Sequence, residues 1–311
     1  MKVLVTGADG FVGRYLVREL RERGHVVRAA IRPGSDVPWT GADGVTAVPF
    51  ELTDARSVQS ALSEPCDAVV HLAAMASSAE ARRDPGGAWI INAAGTARVA
   101  EAAASLRDAG TADPRLLVVS TGEVYGEVHA PLREEDELRP QSPYAASKVG
   151  AEIAALEVAR RTGLTVMVAR PFTHTGPGQR DVFFVPALLA RLREARRTGA
   201  RTVRVGNLAP VRDMSDVRDV ARAYALLVER GEGGATYNVA RGEGIALSDL
   251  FARMAAAVGV DVRPEPDPAL MRRADLPYLV GDSTKLRRAT GWAPAISMDQ
   301  TLRDMLDAET H

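Results

Sequence analysis

Residues 2–6, Lys-Val-Leu-Val-Thr, form an apolar run of strand length that passes directly into Gly7-Ala-Asp-Gly10-Phe11-Val12-Gly13 and then into an amphipathic segment reaching about Arg23. Strand, glycine turn and helix in that order leave few folds open. Without a Cβ, glycine lets the backbone turn tightly and approach a pyrophosphate, which the N–H groups and dipole at the start of the helix can hold. The G-x-x-G-x-x-G spacing in this context predicts a dinucleotide cradle at Gly7, Gly10, Phe11, Val12 and Gly13. A purely structural turn is the competing reading, and the flanking strand and helix favour the nucleotide.

The alternation continues beyond the turn. Further strands are predicted over 26–31, 67–71, 116–120 and 164–169, with helical stretches between them such as 89–107. The expected fold class is α/β: a doubly wound parallel sheet of the Rossmann type with a smaller C-terminal substrate-binding lobe. Residues 1–170, with 215–240 returning, are assigned to the cofactor domain, and 171–214 with 241–311 to the substrate lobe, because Pro and Gly crowd the crossing near residue 171. At the end of the second strand, where NAD binders commonly carry an acidic residue for the ribose 2′-hydroxyl, this chain reads Arg28-Ala-Ala-Ile-Arg32. Arg32, with Arg28 in support, can pair with a 2′-phosphate, so NADP(H) is favoured and NAD(H) remains possible. The opposing reading is two solvated arginines at a strand edge. Further on, Glu51-Leu52-Thr-Asp54 offers a carboxylate for the adenine amino group, with Glu51 and Leu52 as the cofactor contacts, while Asp54 serves equally well as a helix N-cap.

Composition narrows the partners. The 311 residues carry a formal net charge of −1, which gives no global attraction to nucleic acid or anionic membranes. A single cysteine, Cys66, excludes an internal disulfide framework, and no Cys/His cluster has metal-ligand spacing, so no metal is expected. The start at Met1-Lys-Val-Leu-Val lacks the regions of a signal peptide, and no apolar run has bilayer length. A soluble, cytoplasmic setting is expected.

The chemistry is expected in Ser142-Pro143-Tyr144-Ala-Ala-Ser-Lys148. Serine as N-cap and proline as the first helical residue start a helix that stacks Tyr144 and Lys148 one turn apart. An ammonium beside a phenol lowers the phenol's pKa from about 10, toward the range useful for acid/base work. Spacing alone does not separate this from a surface accident. Upstream, Val118-Val-Ser120-Thr121-Gly-Glu123-Val-Tyr125-Gly126 puts the Thr121 hydroxyl at the carboxyl end of a central strand, where it can bind a substrate oxygen.

With these pieces in order, joined by His71-Leu-Ala-Ala and Asn92-Ala-Ala-Gly-Thr, the chain resembles an extended short-chain dehydrogenase/reductase of the nucleotide-sugar epimerase/dehydratase family. The resemblance implies Tyr144 as acid/base, Lys148 as the residue that lowers its pKa and holds the nicotinamide ribose, Thr121 on the reacting oxygen, and Glu123 as a further catalytic group. It also implies cofactor contacts at Leu72, Ala73, Ala74 and Pro171. His71 and Tyr125 read better as packed residues than as bases, and Asn92 as an organiser of nearby backbone.

In the second half the resemblance continues through Arg170-Pro-Phe-Thr173-His174-Thr-Gly-Pro-Gly-Gln, Val205-Gly-Asn207-Leu, Val211-Arg212-Asp and Met271-Arg272-Arg273. It implies that Thr173, His174, Val185 and Asn207 contact substrate, with Arg212 and Arg272 on its diphosphate, a task suited to the guanidinium fork. The run Arg191–Arg204 reads as a solvated helix face rather than a nucleic-acid patch. The combination is most similar to GDP-4-keto-6-deoxy-D-mannose reductases, which make GDP-D-rhamnose; Thr173 and Arg273 depart from the usual asparagine and proline. The expected activity is therefore NADPH-dependent reduction of the C4 ketone of a nucleotide-linked 4-keto-6-deoxyhexose, GDP- or dTDP-borne. A 4,6-dehydratase or epimerase with retained NAD(P) is the alternative, kept open by Glu123. A non-catalytic NADP sensor is remote, since it has no need of Tyr144 and Lys148. The family also implies a homodimer.

Overall fold

The computed structural model describes residues 1–35, 37, 39, 44–128, 130–271 and 276–308. Among the described residues, thirteen strands form three sheets: β1 (Lys2–Thr6), β2 (Val26–Ile31), β3 (Val45–Pro49), β4 (Ala68–His71), β5 (Arg115–Val119), β6 (Val166–Pro171), β7 (Thr173–Thr175), β8 (Thr202–Val205), β9 (Val211–Asp216), β10 (Thr236–Val239), β11 (Gly244–Ala246), β12 (Arg263–Pro266) and β13 (Tyr278–Leu279). The main sheet runs β10-β6-β5-β4-β1-β2-β3, with every pair parallel. The chain winds outward from β1 through β2 to β3, then returns to place β4 on the other side of β1. That reversal opens a crevice at the carboxyl ends of β1 and β4, where α/β sheets bind ligands.

Alternate side chains of the strands enter two different cores, as a sheet covered on both faces requires. Val3, Val5, Val70, Leu117 and Ala169 pack with Leu16, Leu20, Val220 and Tyr224 of the helices Phe11–Glu22 and Val217–Arg230. Leu4, Val69, Leu116, Val118 and Val166 pack on the other face with Val99, Ala103, Ala155 and Val158 of the helices Gly95–Asp108 and Pro143–Thr162.

The expected α/β class and parallel sheet are found. β3 and β10, the two sheet edges, were not anticipated from the sequence. β3 is Val-Thr-Ala-Val-Pro and largely exposed, and β10 is Thr-Tyr-Asn-Val with two polar residues, so neither shows the apolar run by which a buried parallel strand is recognised. The helix expected over 89–107 is instead divided: a short helix Pro85–Trp89, a π-helical turn Ile90–Ala94, then Gly95–Asp108. A π turn of this kind often marks a functional position.

The segment after β6 carries a smaller assembly. β9 pairs antiparallel with β11 and parallel with β13 and β7, while β8 and β12 form a separate parallel pair. Its own core joins Leu188, Leu192, Leu250, Met254 and Leu302.

Candidate active site

The glycine turn has the most demanding geometry of the site. Gly7 has φ +68°, and a Cβ there would lie 2.8 Å from the Ala73 backbone nitrogen. A Cβ on Gly13 would meet the Gly7 carbonyl oxygen at 2.3 Å. Both positions demand glycine, one by backbone conformation and contact, the other by contact alone. Gly10 is the N-cap of Phe11–Glu22 and supplies no side-chain cap, so the first N–H groups of that helix point into the crevice without a side-chain acceptor from the cap residue. Leu72 and Ala73 cover the turn from the end of β4, where the Ala73 N–H donates to Thr6 Oγ1 at 3.2 Å. Such a cradle fits a pyrophosphate bound through backbone N–H groups.

Arg32 follows β2 and its Nε lies 2.9 Å from Asp9 Oδ2 in the glycine turn. Arg28 is a correction: it is buried and directed away from the crevice, with its Nε 3.5 Å from Glu64 and a hydrogen bond to the Glu64 carbonyl, because its place on β2 puts it on the opposite face. It offers nothing to a 2′-phosphate. Glu51 is tied to its own turn, accepting from the N–H and hydroxyl of Thr53 at 3.1 and 2.7 Å, which holds its carboxyl below the usual range. Leu52 is buried beneath Gly95, Asp54 caps the helix Ala55–Ala61, and Pro171 ends β6. Ala74 lies just beyond the Leu72–Ala73 cover and is partly buried.

Ser142 caps the helix Pro143–Thr162 by accepting from the Ala145 N–H at 3.1 Å, with Pro143 in its first turn. Tyr144 lies on the buried face of that first turn. Burial pushes its phenol above its ordinary value, the Glu123 carboxylate pushes the same way, and a hydrogen bond from Thr121 opposes them. Thr121, Glu123 and Tyr144 therefore share one enclosure. This corrects the expectation of a lowered phenol. Lys148 directs its Nζ to the Val119 carbonyl at 2.8 Å and leaves the phenol's ionisation to burial and Glu123. Burial brings Lys148 itself down to about 8, with Glu152 one turn on opposing that fall.

Ser78 is an addition that the motifs did not mark: its hydroxyl lies 3.3 Å from Glu123 Oε2. No spacing rule links residues 78 and 123; only the fold joins them.

Beneath this enclosure lies a buried polar network. Arg170 makes a two-pronged contact with Glu152 at 3.0 and 2.7 Å, and Glu152 also accepts from the Ser120 hydroxyl. Arg170 donates to the Tyr125 hydroxyl at 2.9 Å, and Tyr125 donates to Asn238 Oδ1 at 2.7 Å. Tyr125, pushed up to about 12 by burial, is thus a packed hydrogen-bonding residue. His71 is enclosed between Thr6 at 2.8 Å and Thr96 at 3.2 Å, and burial with Lys148 nearby brings it down to about 3, so it is neutral. Asn92, in the π turn, receives the Met75 N–H at 2.8 Å and donates to Ser147 Oγ at 2.8 Å. It fixes the loop after β4 against the helix that carries Tyr144.

The expected substrate residues lie on the smaller assembly. Thr173 and His174 form β7 beside β9, and the His174 ring stacks on Phe11 with centroids 6.4 Å apart and planes 4° from parallel. Its Nδ1 is 2.9 Å from the Phe172 carbonyl oxygen. Arg212 stands in β9 opposite Ile245 and Leu279, with a hydrogen bond to the Val211 carbonyl. Asn207 accepts from the Ala209 N–H at 3.0 Å, in the loop after β8. Val185 belongs to the core of this assembly. Arg272 and Arg273 fall outside the described residues. Within the 191–204 run Arg193 donates to the Leu306 carbonyl and Arg196 to that of Val258, while Arg197 stays exposed and pairs with Glu194 on its own helix. They make a solvated, internally paired helix face.

A family model described as GDP-mannose 4,6 dehydratase matches residues 4–305. The chain belongs to this family. Among relatives, the GDP-6-deoxy-D-mannose reductase of Pseudomonas aeruginosa is 35% identical over 98% of this chain and 96% of its own. Two solved structures align along the whole fold. RMD from Pseudomonas aeruginosa complexed with NADPH has a TM-score of 0.81 at 33% identity, covering 99% of this chain and 98% of that one. A UDP-glucose 4-epimerase of Thermus thermophilus in complex with NAD has a TM-score of 0.84 at 32% identity, covering 99% and 98%. Membership of the GDP-mannose 4,6-dehydratase family makes this chain an NAD(P)-dependent enzyme of nucleotide-sugar chemistry.

Proposed function

We propose that this family member reduces the C4 ketone of a nucleotide-linked 4-keto-6-deoxyhexose, with GDP-4-keto-6-deoxy-D-mannose as substrate and GDP-D-rhamnose as product. The observation that carries the reading is the enclosure of Tyr144 with Thr121 and Glu123. A phenol is protonated at neutral pH and can give its proton to the oxygen of a ketone becoming an alcohol. Thr121 donates a hydrogen bond to the same carbonyl oxygen and stabilises its developing charge. NADPH, in preference to NADH, would supply the hydride to C4 when bound. Gly7, Gly10 and Gly13 with the helix start hold its pyrophosphate, Arg32 its 2′-phosphate, and Lys148 its nicotinamide ribose. Arg212 and Arg272 take the substrate diphosphate. Residues 1–170 and 215–240 act as the cofactor domain, and 171–214 and 241–311 as the sugar-nucleotide lobe.

Comparing GDP- and dTDP-linked 4-keto-6-deoxyhexoses tests the substrate assignment: kcat/KM should favour the GDP form, and a preference for dTDP would overturn it. A second reading, the 4,6-dehydratase, is supported by the Glu123 carboxylate beside Tyr144, placed to take a proton from the sugar ring.

A pH dependence follows from Lys148. Its ammonium is present below about 8 and is lost as pH rises through that value. Because kcat/KM reports groups of the free enzyme, it should fall on the alkaline side from about that pH, and Lys148→Met should remove that limb. An unchanged limb in the variant would assign it to another group.

We also propose a homodimer formed through the helices around Trp89 and Ile153. Trp89, Ile90 and Ile153 are large apolar residues left exposed, and Trp89, Ala93, Val149 and Ile153 line a groove of about 420 Å³ between the two helices. Light scattering should return twice the chain mass of 33.1 kDa, with Ile153→Asp monomeric. No helix among the described residues is long and apolar enough to cross a membrane, and we place the enzyme in the cytoplasm.

A further inference from the structure

We infer that Asp9 sets the balance between the two nicotinamide cofactors, acting as an internal competitor for the groups that read the 2′-phosphate. The inference rests on the reading of the glycine turn as a dinucleotide site. Asp9 is the third residue of that turn, and its side chain is 5% exposed, whereas the Arg32 side chain is 75% exposed. One oxygen, Asp9 Oδ2, receives both Arg32 Nε at 2.9 Å and the Ser35 hydroxyl at 2.8 Å. The turn fixes the carboxylate in place: Asp9 O accepts from Arg14 Nε at 3.1 Å, and Gly7 and Gly13 lock the backbone on either side.

Arg32 and Ser35 follow β2, where the adenosine ribose of a nucleotide on this cradle lies. A guanidinium and a hydroxyl on one short loop are donors suited to a phosphate monoester. Here a buried carboxylate already holds them, in the manner in which a phosphate oxygen would. A 2′-phosphate must therefore share or displace that carboxylate, and the two like charges oppose each other across a few ångströms. A cofactor with a free 2′-hydroxyl meets no such repulsion and can donate to the carboxylate instead. Asp9 thus supplies, from the glycine turn, the ribose-facing acid that is missing from the end of β2. Arg32 pulls toward NADP(H), Asp9 pulls toward NAD(H), and the chain binds both.

Equilibrium titration of the purified protein with NADPH and with NADH, read by nicotinamide fluorescence without substrate, tests this. Asp9→Asn keeps the size and an acceptor oxygen while removing the charge. It should raise the ratio of NADPH to NADH affinity by about tenfold, equal to about 1.4 kcal/mol. An unchanged or lower ratio overturns the proposal, and a lower one would make Asp9 a support for Arg32. If thermal melting shows that Asp9→Asn does not fold, Asp9→Ser carries the same comparison. Arg32→Ala separates the role of Asp9 from 2′-phosphate recognition by Arg32. A selective loss of NADPH affinity there, with no response to Asp9→Asn, overturns the role of Asp9 alone; no loss overturns the 2′-phosphate reading and the proposal with it.

Discussion

A Tyr144→Phe variant is expected to lose about two to four orders of magnitude in kcat, the range that a single general acid typically supplies. The phenyl ring keeps the packing against Met75, Ala81 and Ala88, so fold and cofactor affinity should be preserved. The hydroxyl is removed, and with it the transferable proton and the hydrogen bond to Thr121. The loss should appear equally in kcat and kcat/KM, as expected for an interaction made in the transition state rather than in binding. Because burial and Glu123 both favour the protonated phenol, Glu123→Gln should lower the Tyr144 pKa without abolishing reduction. Near-normal turnover by Tyr144→Phe would remove Tyr144 from the chemistry and leave Thr121 or a bound water as the proton source.

The second large effect concerns stability. Arg170→Met should destabilise the fold by about 3–5 kcal/mol, because it strands the Glu152 carboxylate in a buried position. Glu152 and Arg170 have side chains only 4% and 6% exposed, so solvent does little to screen the lost partner. Replacing both, as Glu152→Leu with Arg170→Met, should recover most of the loss, since a buried ion pair exchanged for apolar residues is often close to neutral. The double variant should nonetheless remain slow, because Glu152 also holds Ser120, the neighbour of Thr121. Urea denaturation midpoints measure the first claim and kcat the second. Equal stability of the single and double variants would show that the pair does not act as a unit.

What was readable in the sequence, and what was not, follows from how local each signal is. The strands β1, β4, β5 and β6 are continuous apolar runs, and the turn at Gly7–Gly13 meets its helix within seven residues, so a linear reading finds them. The cap at Ser142 and Pro143 is equally local. β3 is a largely exposed sheet edge where the apolar demand is relaxed, and β10, though buried, carries a threonine and an asparagine among its four residues, so their composition hides them. Side-chain direction was also out of reach: Arg28 and Arg32 stand four residues apart, yet one enters the core face and the other the crevice. The largest departure is the Tyr144 phenol. Helical spacing places Lys148 nearby, but the ionisation of the phenol is decided by its burial and by Glu123, which approaches from another element. Asp9 and Ser78 belong to the same kind: each gains its meaning from a partner that only the fold brings close.

The central claim, net reduction of a ketosugar, is tested most directly by stoichiometry. The enzyme would be incubated with GDP-4-keto-6-deoxymannose and NADPH, following cofactor absorbance and sugar product together. One NADPH should be oxidised for each 4-keto group converted to an alcohol. Conversion of the sugar without net oxidation of NADPH would contradict reduction, and would place this chain with the members of its family that return the hydride within each turnover.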